Sequence, residues 1–267
     1  MGCGGGLVGL TGAGCGVMLL AGAAWHVAPA VTWLPLVRRF LPGLAGRSRG
    51  HHVAVTFDDG PGLDSTPAVL AALDAVNVRA TFFVLGAALA RHRELGRVVC
   101  AAGHELAVHG WDHRWLLGRP FPRVRDELAR ARELVSEVAG APPLWFRPAY
   151  GVLTGDAALA ARRLGMRPVL WTVWGRDWTA TATVKSVVDA VAPDLRGGAT
   201  LLLHDADHAT APGAWRLTVA ALPQIVDLAA ARGLALGPLR DHGLITRCGE
   251  AVNRAPAVQF PGRAGSR

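Results

Sequence analysis

Charge is missing from the start of this chain: residues 2–37 contain no Asp, Glu, Lys or Arg. Lysine is nearly missing throughout, Lys185 being the only one, so the formal charge of +8 is carried by arginine. Cysteine is scarce and unpatterned. Cys3, Cys15, Cys100 and Cys248 form no CxxC or metal-type spacing, so neither a disulfide framework nor a thiolate zinc site organises the chain. Arginine, alanine and glycine in place of lysine read as GC-rich codon usage rather than as a nucleic-acid surface. The basic residues are also dispersed: Arg123, Arg125, Arg130 and Arg132 share one predicted helix with Asp126, Glu127 and Glu133, which is a solvated face. No nucleic-acid partner is expected, and attraction to anionic envelope polymers has only weak support.

What is present is concentrated at the ends of apolar runs. Val53, Val55 and Phe57 alternate as a buried strand, and Gly60-Pro61 ends it, which delivers Asp58 and Asp59 where the strand emerges. Side chains alternate along an extended backbone, so adjacent carboxylates can take different tasks, one on a metal and one on a reacting water. For those four residues alone a solvated Asp-Asp-Gly-Pro turn is the plainer reading. A second run, Glu105 to Val108, leads into His109 and His113, four apart. If that segment turns helically both imidazoles share one face. Two neutral nitrogens and a carboxylate then make a three-ligand site with a position open for water, the pattern of a catalytic zinc. Three further runs, at 144–151, 169–178 and 200–205, close on Arg147, Asp177 and His204. Singly these read as a structural ion pair, a helix N-cap and a satisfied strand-end histidine. Five such clusters in one chain point instead to a common site.

In order and spacing the five clusters resemble the motifs of the polysaccharide deacetylase family, carbohydrate esterase family 4, across roughly residues 52–245. Thr56-Phe-Asp-Asp-Gly-Pro61 followed by a two-histidine motif is the specific part of the match. The resemblance implies a metal-dependent hydrolase that removes N-acetyl, sometimes O-acetyl, groups from sugars in a polymer. Carried over position by position, it makes Asp58 the general base and Asp59, His109 and His113 the ligands of one divalent metal. Zn²⁺ suits such a His₂-carboxylate set. Arg147 would hold and tune Asp58, the backbone N–H of Tyr150 would help bind the oxyanion, and His204 would be the general acid. Asp177 would orient and charge that histidine, and Trp178 would wall the pocket. The chain departs from the family pattern at Gly110, where Ser or Thr is common, at Trp174, where an acid is usual, and at Ala149, where a second proline is frequent.

Apolar runs begin near Val53, Ala80, Glu105, Leu144, Pro168, Ala199 and Leu234, most followed by a helix-like stretch such as Thr66–Val76, Val124–Ala139, Ala157–Leu164 or Val184–Val191. Strands alternating with helices predict a parallel, wound α/β structure. Polar clusters at strand ends predict closure into a barrel with chemistry on its C-terminal rim. The family resemblance implies the same architecture, a distorted (β/α)7 barrel, TIM-barrel-like. The expected organisation is an apolar segment and Arg-containing linker over 1–50, a catalytic domain over 51–246 and a disordered Arg-, Ala- and Gly-rich tail over 247–267.

The stretch from Gly16 to Val37 is long enough to cross a bilayer, which takes about twenty residues, and membrane association through residues 7–37 is an expectation. Pro29, Pro35, His26 and several glycines weaken it as a helix, and no positive n-region precedes it as in a signal peptide. Arg38, Arg39, Arg47 and Arg49 follow, which by the positive-inside rule would keep the C-terminal side in the cytoplasm. A cell-wall substrate conflicts with that. A misplaced start, an atypical signal segment or packing of residues 24–50 on the barrel would each resolve the conflict. The expected protein is a monomeric enzyme of the bacterial envelope acting on an acetylated glycan. A catalytically idle, membrane-associated glycan-binding module of the same fold and a metal-dependent amidase for a small amide are the alternatives.

Overall fold

Strand β1 (His52–Asp58) is buried on both faces but against different partners in the computed structural model, which describes residues 21–244. Val53, Val55 and Phe57 point outward into the large core shared with the surrounding helices. Ala54 points inward, into a small core with Phe83, Ala107, Trp145, Val169 and Leu239. The period-two alternation of an extended chain therefore separates a helix-facing layer from a barrel interior. Thr56 and Asp58 share the parity of Ala54, which makes the upper part of the interior polar.

Around β1 run β2 (Thr81–Val84), β3 (Glu105–Val108), β4 (Trp145–Phe146), β5 (Arg167–Pro168), β6 (Val173–Trp174), β7 (Thr200–His204) and β8 (Ala235–Gly237). Every pairing is parallel, in the order β5-β4-β3-β2-β1-β7-β6, with β8 added to β1. Helices Ser65–Ala75, Phe121–Ala139, Gly155–Arg163 and Val184–Val191 lie within two or three residues of the stretches expected. Helices Gly86–Arg91, Arg93–Ala101 and Trp215–Ala231 add to them, the last despite an internal Pro223.

The distortion of the barrel is local. The run that starts at Pro168 is divided: β5 pairs with β4, β6 pairs with β7, and residues 169–172 pass between the two neighbours. Val169 N–H still donates to Phe146 C=O at 2.9 Å and Thr172 N–H already donates to Thr200 C=O at 3.0 Å. Between them Leu170 N–H turns out of the sheet to Leu44 C=O at 2.7 Å. The chain N-terminal to the barrel thus covers the seam. Arg38 Nη1 donates to Trp171 C=O at 3.1 Å, Thr200 Oγ1 donates to Gly46 C=O at 2.7 Å, and His26 Nδ1 sits 2.9 Å from Asp156.

Residues 21–27 are helical, Ala28–Trp33 form a 3₁₀ stretch and Pro35–Arg39 a short helix. Prolines at the entry of two of these pieces break the continuity a span requires. No helix among the described residues is long and apolar enough to cross a membrane. Residues 7–20 of the expected membrane segment, the tail from 247, and Cys3, Cys15 and Cys248 lie outside the described residues. Cys100 is a free thiol.

Candidate active site

The C-terminal strand ends carry the polar clusters, as a parallel barrel dictates. Asp58 is the last residue of β1 and Asp59 adopts a left-handed φ of 80°. Strand alternation alone was expected to part the two carboxylates. The left-handed step at Asp59 also turns the chain, so that Asp58 stays with the barrel interior while Asp59 meets the histidines.

A residue that sequence reasoning passed over holds this turn. Asp205, fully buried, accepts from Gly60 N–H at 3.1 Å and from Thr66 Oγ1 at 2.6 Å. Its signal in the sequence was its place directly after His204, at the end of a run of leucines. Burial pushes its carboxyl up to about 7. A Cβ on Gly60 would lie 2.2 Å from Asp205 Oδ2. Gly60→Ala is therefore expected to cost about 1–3 kcal/mol through overpacking. Thermal unfolding of the variant checks it, and an unchanged midpoint would show that the turn is not gripped.

Arg147 crosses the interior with no exposed surface. Its Nη1 donates to Asp58 Oδ1 at 2.7 Å and to Thr56 Oγ1 at 2.9 Å. Nη2 donates to Leu170 C=O at 2.9 Å and Nε to Val169 C=O at 3.3 Å. The planar fork of donors suits such a multi-acceptor cage, and the guanidinium lies over Phe83 at 3.9 Å. Asp58 is thereby held by one oxygen, with Oδ2 left on the cavity side, 3.8 Å from His109 Nε2.

His109 and His113 do not share a helix face. Residues 109–113 form a loop that Gly110 turns at φ 103°. The loop is pinned from outside, because Gly110 and Trp111 offer their carbonyls to the N–H groups of Gly86 and Ala87 at 2.9 and 2.8 Å. Both rings nevertheless reach one carboxylate: His109 Nε2 is 3.5 Å and His113 Nε2 3.3 Å from Asp59 Oδ1.

Those three residues fit a metal ion. Their ligand atoms lie within 4.8 Å of one another. Asp59 Oδ1 is buried with no hydrogen-bond partner, which is costly unless something else satisfies it. His109 Nδ1 lies 2.9 Å from Arg147 C=O, an acceptor only, so Nδ1–H donates there and Nε2 is the nitrogen turned to Asp59. Burial opposes the charged ring but Asp58 and Asp59 raise its pKa, so a metal at Nε2 would displace a proton. Burial and the neighbouring His109 push His113 down to about 4, which keeps it neutral. Burial opposes ionisation of Asp59, yet His109 and the other imidazoles draw it down to about 2.

Opposite the Asp-His-His cluster stands His204, the last residue of β7 and the register partner of Asp58. Its Nδ1–H donates to Asp177 Oδ1 at 2.9 Å. Asp177 Oδ2 accepts from His204 N–H at 2.8 Å and Thr218 Oγ1 at 2.6 Å. Asp177 is thus a buried anchor and not a helix N-cap. Burial alone would lower the imidazole pKa, but Asp177 first, then Asp59 and Asp58, raise it to about 9.

These groups line one cavity of ≈ 270 Å³ with an aromatic mouth. Asp58, Asp59, His109, His113, Tyr150 and His204 face it, while Arg147 and Asp177 stand behind. Tyr150 has a left-handed φ of 59°, stacks on Trp115 at 4.4 Å and donates its hydroxyl to His113 C=O at 3.3 Å. Trp174 and Trp178 stack at 6.0 Å on the other wall, and Trp171 completes it. Trp115 and Trp171 were not singled out from sequence, and Trp174 was noted there only as a departure from the family pattern.

An α/β barrel with a histidine–carboxylate cluster and a second carboxylate at its rim defines a metal-dependent hydrolase of the polysaccharide deacetylase type. The sequence model of polysaccharide deacetylase matches residues 45–169. A chitooligosaccharide deacetylase of Bradyrhizobium sp. (strain ANU 289) is 37% identical over 197 residues, covering 70% of this chain and 88% of that protein. A peptidoglycan-N-acetylglucosamine deacetylase of Listeria monocytogenes is 33% identical over 174 residues, covering 64% of this chain and 36% of that protein. Among solved structures, the family 4 carbohydrate esterase from Streptomyces lividans in complex with acetate matches with a TM-score of 0.63 at 30% identity, covering 71% of this chain and 93% of that one. The chain belongs to the polysaccharide deacetylase family, hydrolases of carbon–nitrogen bonds other than peptide bonds.

Proposed function

We propose that the protein removes N-acetyl groups from a glycan of the bacterial envelope with a divalent metal, Zn²⁺, held by Asp59, His109 and His113. The observation that carries this reading is the convergence of those three ligand atoms beside Asp58 and His204 in one cavity. When bound, the ion supplies Lewis-acid polarisation of the acetamide carbonyl and lowers the pKa of a water toward about 7.

The side chains do the rest. Asp58 Oδ2 accepts the proton of the attacking water, while Arg147 occupies Oδ1 and keeps the carboxylate aimed. The backbone N–H of Tyr150 helps stabilise the oxyanion that develops. An amine cannot leave as an anion, so His204 Nε2 gives it a proton, and Asp177 keeps the ring charged at neutral pH. The tryptophans and Tyr150 offer flat apolar faces to sugar rings. The cavity shares Trp171 and Trp174 with a larger cleft of ≈ 660 Å³, which supports an extended glycan over a small amide. Association with the membrane through residues 7–37 belongs to the same reading, as does a monomeric state.

Two measurements test it. Acetate release should appear with chitooligosaccharide or peptidoglycan, and no release from either with any metal, or release from acetylxylan alone, would overturn the proposal. Elemental analysis should find one Zn²⁺ per wild-type chain and a large loss in His113→Ala, because two remaining ligands hold a catalytic zinc poorly. Undiminished metal in that variant would remove His113 from the ligand set.

A further inference from the structure

Trp174 stands where an acid was expected, and it forms a wall between two cavities. On its far side, between the N-terminal residues and the Val184–Val191 helix, runs a cleft of ≈ 660 Å³ lined by Arg38, Arg39, Arg47 and Arg176. Arg39, Arg47 and Arg176 have no carboxylate within ion-pair distance among the described residues. Of the two aspartates at the cleft, Asp194 pairs with Arg196, which also lines it, at 3.3 Å, and Asp189 pairs with Lys185 at 2.5 Å, so neither is matched to Arg39, Arg47 or Arg176. Trp171 joins this cleft to the catalytic groups, for Arg38 lies over its ring at 5.0 Å and Arg147, which holds Asp58, at 5.8 Å. Arg176, at a left-handed φ of 52°, sits directly before Asp177 and 5.8 Å from the Trp174 ring.

We infer that this cleft binds an anionic substituent, carboxylate or phosphate, on the glycan residue next to the one being deacetylated. Guanidinium groups present planar forks that match either oxyanion. Several cations around one cleft with indole walls add up to a local positive potential. The substrate class that fits is an acidic, N-acetylated glycan, entering with its acetamide beside His204 and its charge beyond Trp174. This inference rests on the deacetylase reading for its catalytic consequence and on the cleft alone for its binding consequence.

The test compares wild type with the R39Q/R47Q/R176Q variant, none of whose altered residues faces the reacting groups. On a muramic-acid-containing glycan strand and on a phosphate-bearing N-acetylated oligosaccharide, kcat/KM should fall about tenfold through KM, with kcat kept. On neutral chitooligosaccharide both constants should stay within about twofold. The acidic arm that responds names the oxyanion. Raising ionic strength should erase the wild-type preference, because Arg39, Arg47 and Arg176 are exposed. Equal loss on neutral and acidic substrates, or no loss on either acidic one, overturns the proposal. Calorimetry with an oligouronate that carries no acetamide separates this inference from the activity: wild type should bind it, the variant should not, and its neutral methyl ester should bind neither. Binding without deacetylation would leave the cleft standing and sink the enzymatic reading, and no binding by wild type would sink the cleft.

Discussion

Asp58→Asn is expected to slow acetate release by about 10²–10⁴-fold, the range by which a positioned general base accelerates a reaction. An amide has nearly the size of the carboxylate and cannot take a proton from water. The buried ion pair with Arg147 sets the accompanying stability change. Removing one partner of such a pair costs about 3–5 kcal/mol when the other charge is left bare. Here Arg147 keeps Thr56 Oγ1, Leu170 C=O and Val169 C=O, and the amide oxygen introduced by the substitution can still accept from Nη1, so a smaller loss is expected. Metal content should stay at the wild-type value, since the proposed ligands Asp59, His109 and His113 are untouched. Acetate release, thermal unfolding and elemental analysis on one preparation check all three. Near-normal turnover would exclude Asp58 as the base.

Asp177→Asn should shift the alkaline limb of the pH–rate profile downward and reduce turnover. Asp177 is the principal group raising the His204 pKa to about 9 from the ordinary 6.5, so without its charge the imidazolium is lost at lower pH. Geometry deepens the effect. Both Asp177 oxygens accept, one from the ring Nδ1–H and one from His204 N–H and Thr218 Oγ1. The amide nitrogen of an asparagine must face one of these donors, and if it faces Nδ1 the ring must hold the wrong tautomer. His204→Ala should abolish most activity, about 10²–10⁴-fold, and leave little for the second substitution to remove, because groups acting as a unit are non-additive. The same shift has a stability counterpart. A raised folded-state pKa contributes stability that is fully present below the unfolded value near 6.5 and is lost as pH rises through about 9. Melting of metal-free protein should therefore weaken over that window in wild type and stay flatter in Asp177→Asn. An alkaline limb that does not move, with losses that multiply, would show His204 and Asp177 to be independent.

The alternation Val53, Val55, Phe57 marked β1 correctly, and the parallel barrel followed from apolar runs alternating with helical stretches. What the pattern missed came from backbone conformations that only neighbours enforce. The spacing of His109 and His113 invited a helix, but a loop turned by Gly110 and anchored on Gly86 and Ala87 brings both rings to Asp59 instead. The run from Pro168 looked like one strand. It divides because its first part pairs with β4, its last part with β7, and Leu44 satisfies the backbone between them. Asp205 was passed over because its place after His204 does not show what it binds. Its importance lies in Gly60 and Thr66, more than a hundred residues away in the chain.

The sequence by itself determined the chemistry on offer: two adjacent carboxylates at a strand exit, two histidines, a buried-type arginine and a strand-end histidine, each at the close of an apolar run whose periodicity dictates burial. Local spacing carries that information because side-chain direction along an extended chain repeats every two residues. Tertiary structure alone decided which atoms meet. Nδ1 of His109 is committed to Arg147 C=O, one oxygen of Asp58 to Arg147, and both oxygens of Asp177 to donors on β7 and the final long helix. These contacts join residues far apart in the chain, so they follow from barrel closure and not from any local pattern. The arginine cleft has the same origin, because it exists only where the N-terminal residues fold back across the seam that the divided strand leaves open.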